Sequence, residues 1–118
     1  MSKVIFRAFI IISTILAIGG CSSVSEAGYY WGKYPYTYLE TIRSPSPEST
    51  EKHITELREI VKYSEEKELK PAPGIYAELA FWLSKSENGN DTEVTSLFNK
   101  EMLLYPESRT FIERLVSE

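Results

Sequence analysis

The chain has 118 residues and a formal net charge of −4, from 17 acids against 13 lysines and arginines. An acidic chain without a basic patch argues against nucleic acid as a partner. A lone cysteine excludes an internal disulfide, and this length allows one small core and no more.

The first seven residues carry Lys3 and Arg7 and no acid. Residues 8–18 are apolar except for Ser13 and Thr14. A positive start, a short apolar run and small residues after it predict a secretory signal peptide over residues 1–20. Eleven helical residues reach about 16 Å, roughly half of a ~30 Å hydrocarbon core, so a spanning helix is a poor reading. Ile18-Gly19-Gly20-Cys21 resembles the lipobox of bacterial lipoproteins. The resemblance implies lipidation of the Cys21 thiol, cleavage between Gly20 and Cys21, and acylation of the freed amine with a palmitate-type chain. Two or more acyl chains anchor stably where one is marginal. Ser22, being no aspartate, implies by the same resemblance the outer membrane, facing the periplasm. The alternative is an ordinary cut after Ala27, in Ser25-Glu26-Ala27, which lies well past the apolar run. Removal of residues 1–20 would take two cations and no acid, so the mature chain would be more acidic still, and the lipid would do the anchoring.

Residues 21–28 are small and polar and read as a flexible tether. Residues 29–47 read as an aromatic strap and linker. Six of the ten residues from Tyr29 to Tyr38 are aromatic. Rings with a polar tip suit three uses: packing onto the rest of the domain, contacting a partner protein, or stacking on a glycan or membrane interface. The candidate partner-binding residues are therefore Tyr29, Tyr30, Trp31 and Tyr34, with Tyr76 and Trp82 further on.

Residues 48–118 are expected to form one all-α domain of about four helices. Ser46 can cap the first, with Pro47 at its first position, where a missing N–H costs nothing. Ile54, Leu57, Ile60, Val61 and Tyr63 recur at helical spacing and predict a helix over roughly 48–69. His53, the only histidine, reads as a boundary residue beside that apolar face, with no catalytic or metal role expected. Pro71 and Pro73 break the helix. Ile75, Tyr76, Leu79, Ala80, Trp82 and Leu83 predict a strongly apolar, central helix over 75–87. Gly89 is expected to supply a backbone conformation that other residues resist. Asn90, with Glu93 three residues on, reads as a capping box for a helix over 91–104. The acids and amides of residues 87–91 do not match a calcium loop, so no metal or other cofactor is expected. Pro106 ends that helix and opens a short one over 107–116.

Residues 76–106 resemble one tetratricopeptide unit, carried by Tyr76, Leu79, Ala80, Leu83, Val94, Phe98 and Pro106. There are departures. The loop between Leu83 and Val94 is longer than in the motif, Val94 replaces an alanine, and Glu101 stands where alanine is common. The order of a lipobox, Tyr29-Tyr30-Trp31-Gly32, a charged helix, Pro73-Gly74-Ile75-Tyr76-Ala77-Glu78-Leu79 and Leu104-Tyr105-Pro106-Glu107-Ser108 is similar to a family of short proteobacterial lipoproteins. That family is catalogued as a domain of unknown function (forty-eight-ten). The resemblance implies an accessory place beside a CsgG-like lipoprotein in an envelope assembly. The expected function is a lipid-anchored, periplasm-facing adaptor with a protein partner, not an enzyme, and with no small-molecule substrate. The alternative is a small glycan- or peptidoglycan-binding lipoprotein using the Tyr29–Tyr38 aromatics.

Overall fold

Residues 28–118 are described by the computed structural model, and among them the chain is all-helical. The helices are α1 (Tyr34–Arg43), α2 (Pro47–Glu66), α3 (Ile75–Lys85), α4 (Asp91–Leu104) and α5 (Arg109–Ser117), with a 3₁₀ turn at Pro106–Ser108 before α5. Gly20, Cys21 and most of the expected tether lie outside the described residues.

The largest departure from expectation is α1. Residues 29–47 contain a ten-residue helix rather than only a strap and linker. Gly32, Pro35 and a run of aromatics give this segment little intrinsic helix propensity. Its helix is held by its neighbour instead. Tyr30 stacks on Tyr63, the Lys33 N–H donates to Glu56, Thr37 meets His53, and Thr41 Oγ1 donates to the Ser49 carbonyl. Positions rise along α1 as they fall along α2, so the two helices form an antiparallel hairpin.

The start of α2 is as expected. Ser46 accepts the N–H of Ser49 at 3.0 Å, and the Ser49 side chain answers to the Ser46 N–H, a capping box built from two serines. The helix stops at Glu66, before the expected residue 69. Lys67 caps it, and Glu68 takes a left-handed φ of 55°. The Leu69 N–H then reaches back to the Ser64 carbonyl at 2.8 Å, the long bond of a Schellman ending. Pro71 follows directly and forbids Lys70 a helical path.

The expectation of a central α3 matches its burial. Ile75, Tyr76, Ala77, Leu79, Ala80 and Leu83 are all buried. Ala80 has no exposed surface, which lets the neighbouring helices come close. Leu57, Ile60 and Ile54 of α2 and Leu97 and Phe98 of α4 complete the core with Ile112 of α5. Truncating a buried leucine such as Leu57 to alanine would cost about 2–5 kcal/mol.

The α2–α3 pair is antiparallel, since Tyr76 meets Glu65 and Ser86 meets Glu51. By contrast α2 and α4 run parallel. Arg58 grips Glu93 with both terminal guanidinium nitrogens, and Lys100 Nζ lies 2.8 Å from Glu65. The Asn90 cap is present, its side chain accepting from Thr92 at 2.8 Å and Glu93 at 3.4 Å. The Glu93 side chain does not close the expected capping box, because Arg58 holds it. Gly89 is also needed for a different reason than expected. A Cβ there would stand 1.9 Å from the Leu83 carbonyl oxygen, so close approach excludes a side chain.

Glu68 is the one non-glycine residue at positive φ among the described residues. A left-handed residue costs roughly 1–2 kcal/mol, and glycine returns part of that as unfolded-chain entropy. Glu68→Gly should therefore raise stability by up to about 1 kcal/mol, read as a higher urea midpoint at unchanged slope.

Candidate functional site

Ala77, Glu78 and Phe81 lie along the side of α3 that faces α5. Across from them α5 supplies Phe111 and Leu115, and Pro73, Gly74, Tyr105, Glu107 and Ser108 close one end. Together they line an open, mostly apolar groove of about 410 Å³. That falls in the range of ligand pockets, roughly 300–1,000 Å³. The groove exists because α5 buries only Ile112 and leaves Phe111 61% exposed. The amphipathic pattern of α5 therefore has more apolar surface than the core absorbs.

Glu101, on α4, belongs to the groove lining yet is only 1% exposed. Its Oε1 accepts the Gly74 N–H at 2.7 Å. Gly74 caps α3 with a φ of +95°, a conformation that suits glycine and aims its N–H at the carboxylate. The carboxylate thus sits at the positive end of α3. Burial pushes the Glu101 carboxyl above its usual pKa, against the pull of the Gly74, Ala77 and Tyr76 N–H groups. Only the Gly74 bond is well formed; Oε2 makes no close hydrogen bond, and the Tyr76 and Ala77 N–H groups face the carboxylate from the first turn of α3.

Behind the groove, Glu78 holds three helices together. Its Oε2 accepts the Tyr34 hydroxyl of α1 at 2.7 Å, and its Oε1 lies 2.8 Å from His53 Nε2 of α2. On α3 itself, the Trp82 indole N–H reaches the same Oε1 at 3.4 Å. His53 Nδ1 is 2.8 Å from Thr37 Oγ1. Tyr34, Tyr38 and Trp82 surround the imidazole with rings. His53 has no exposed surface, so the boundary placement expected for it is corrected: it is a core residue. Burial of Glu78 opposes its ionisation, but the hydrogen bonds from His53, Tyr34 and Trp82 outweigh it and hold its pKa below the usual value. Burial, and then the neighbouring Glu78, drive the Tyr34 hydroxyl pKa upward.

Hydroxyl, imidazole and carboxylate in a row also describe a nucleophilic triad. Here the Thr37 hydroxyl leans on the Tyr34 carbonyl at 3.3 Å and the imidazole is sealed from solvent. The geometry is that of a clasp between helices.

Of the residues singled out from sequence, Tyr29, Tyr30, Tyr34 and Trp82 are half-buried and packed against the core. Tyr29 stands beside Tyr105, whose hydroxyl donates to the Pro71 carbonyl at 2.7 Å. Tyr76 is buried and donates to Glu65 at 2.8 Å, so it points inward rather than toward a partner. Trp31 is exposed beside Tyr34. Cys21 and Gly20 lie outside the described residues. Sequence reasoning missed Glu78, Phe81, Tyr105, Glu107 and Phe111. The one available signal was Glu101, a charge where the repeat motif favours alanine.

Residues 29–115 match the family described as Domain of unknown function (DUF4810). The chain belongs to that family. No curated protein and no solved structure matches it. The match begins at Tyr29 and ends at Leu115, so both the clasp and the groove fall inside the DUF4810 domain. No helix among the described residues is long and apolar enough to cross a membrane.

A carboxylate held below its unfolded pKa adds stability above that value, and the gain is lost as pH falls through the folded pKa. Glu78, Glu65 and Glu93 all have lowered values, so the domain should weaken on acidification below about pH 4.5. Glu78→Gln should flatten part of that acid limb, because Gln does not titrate. Urea midpoints at pH 7 and at acid pH, compared between wild type and variant, measure this directly.

Proposed function

We propose that the chain is a lipid-anchored periplasmic adaptor that holds a protein segment in the α3–α5 groove. In this reading Cys21 carries the lipid at the inner leaflet of the outer membrane, and the partner belongs to an assembly with a CsgG-like lipoprotein. The domain is tetratricopeptide-like. Two antiparallel hairpins, α1–α2 and α3–α4, stand side by side. The pairs Arg58–Glu93 and Glu65–Lys100 join their second helices at a constant separation of 35 residues. Tetratricopeptide units repeat at about that spacing. In such stacks α5 would be the first helix of a further unit, which leaves an apolar face beside it.

The observation that carries the reading is the groove itself: Phe81, Phe111 and Leu115 line an apolar surface that the fold leaves open. Contiguous exposed apolar surface on a small domain marks an interaction site. The glycan-binding alternative has less support. Tyr29, Tyr30 and Tyr34 are engaged with the core, so stacking would fall to Trp31, Tyr36 and Tyr38.

A photo-cross-linking residue at Phe111, in the native envelope, should capture one discrete protein, and the same residue at Glu59 on α2 should not. The Cys21→Ser protein should leave the membrane fraction and lose that product. Equal labelling from both positions, or lipid alone, would sink the adaptor reading.

A further inference from the structure

The helix α1 is inside out for a surface helix. Such a helix ordinarily turns its apolar side to the core and its polar side to water. Here the inward side carries Tyr34, Thr37 and Thr41, whose hydroxyls bond to Glu78, His53 and the Ser49 carbonyl, and Thr41 is the one buried residue of α1. The outward side carries Pro35, Tyr36, Leu39 and Ile42, all exposed, with Tyr36 77% exposed. At about 100° per residue, Tyr38, Ile42, Pro35, Leu39, Arg43 and Tyr36 follow one another around an arc of about 160°. Trp31 adds an exposed ring just before the helix.

The two sides differ in charge as well. The chain carries 17 acids against 13 lysines and arginines, yet no acid falls within the arc, whose one charge is Arg43. Glu40, the only acid of α1, lies beyond its edge and is held by Lys52 of α2 at 3.0 Å. Single exposed apolar residues are ordinary, but a contiguous face marks a contact surface. The place of α1 in the chain identifies the partner. It is the first helix among the described residues, and only residues 21–28 part Cys21 from Tyr29. Fully extended, that stretch spans at most about 28 Å. A lipid on Cys21 keeps the face beside the bilayer, at an effective concentration on the order of millimolar, so a weak surface affinity is enough. Tyrosine and tryptophan suit the headgroup boundary, and an arginine complements anionic lipid phosphate.

We infer that the outward face of α1 rests on the lipid bilayer, with Tyr36, Leu39 and Ile42 entering the boundary between headgroups and acyl chains and Arg43 meeting lipid phosphate. Helices bound in this way sink about 5–10 Å. The helix lies in the plane of the membrane and does not span it, since its ten residues reach about 15 Å. The inference rests on the anchoring part of the adaptor reading, to which it adds an orientation. No residue of this face is among those lining the α3–α5 groove, so the groove stays open to a protein segment while α1 stays on lipid. The domain is then held in one orientation rather than swinging from its anchor.

The test uses the full chain, purified from bacterial membranes and reconstituted into vesicles of phosphatidylethanolamine with a minority of phosphatidylglycerol. The mass of the peptide containing Cys21 reads whether it carries lipid. A nitroxide is attached at Leu39→Cys, at Ile42→Cys or, as an exposed apolar control on α4, at Leu103→Cys. Its collisions with oxygen, which concentrates in lipid, are compared with those with a water-soluble nickel chelate. The oxygen-to-nickel ratio should be at least about fivefold higher at Leu39→Cys and Ile42→Cys than at Leu103→Cys. Adding Tyr36→Ser and Ile42→Ser to Leu39→Cys, all at exposed positions, should bring its ratio down to the control. Equal ratios at Leu39→Cys and Leu103→Cys, with lipid confirmed on Cys21, would overturn the docking and leave the anchor in place. An immobile label shielded from both reagents would overturn it in favour of a protein contact, a second copy of this chain included. A Cys21 without lipid would remove the anchoring reading and this inference with it.

Discussion

One carboxylate organises this domain. Glu78 projects from α3 and takes Tyr34 from α1 and His53 from α2 in a single cluster. Without it, His53 would be a buried imidazole with one ring nitrogen unmatched, and α1 would have lost its polar link to the central helix. Buried polar groups are costly unless paired, and this cluster is paired throughout: Thr37 meets the other imidazole nitrogen, and Trp82 adds a donor to the carboxylate. Apolar contacts alone slide easily. A network with fixed donors and acceptors sets one register, and here it sets that of α1 against the hairpin beside it.

The clasp also decides which surfaces are left over. By drawing Tyr34 inward, while Tyr30 stacks on Tyr63 of α2, it turns the aromatic-rich start of the domain into part of its body. No comparable clasp holds the far side of α3. There α5 is tied down by Ile112, with Leu115 half-buried beside it, and Phe111 and Val116 stay exposed. Polar clasp and open groove thus share one helix. Glu78 joins the two, since it closes the core on one side and lines the groove on the other.

Much of the helical frame was legible in the sequence. Ser46-Pro47, Asn90 and Pro106 are local signals whose physics acts within a few residues, and helices begin or end beside each of them, whereas α2 stops five residues short of Pro71. The helix α1 was not legible, because its stability comes from α2 rather than from its own residues. His53 shows the same limit. A histidine next to Ile54 gives no hint that a carboxylate 25 positions away lies in the same core. Glu78, read in isolation, looks like one more charge on an exposed helix face. The groove was harder still, since it depends on how far α5 settles onto α4. Glu101 was visible as a breach of pattern, but its meaning required the position of the α3 N-terminus.

The central claim is that Glu78 fastens α1 to the rest of the domain. Residue-resolved hydrogen exchange on the intact chain, wild type against Glu78→Ala, tests it most directly. Backbone amides of α1 should lose much more protection than those of α4, because the clasp holds the first and not the second. Equal loss in α1 and α4, or unchanged protection in α1, would contradict the account.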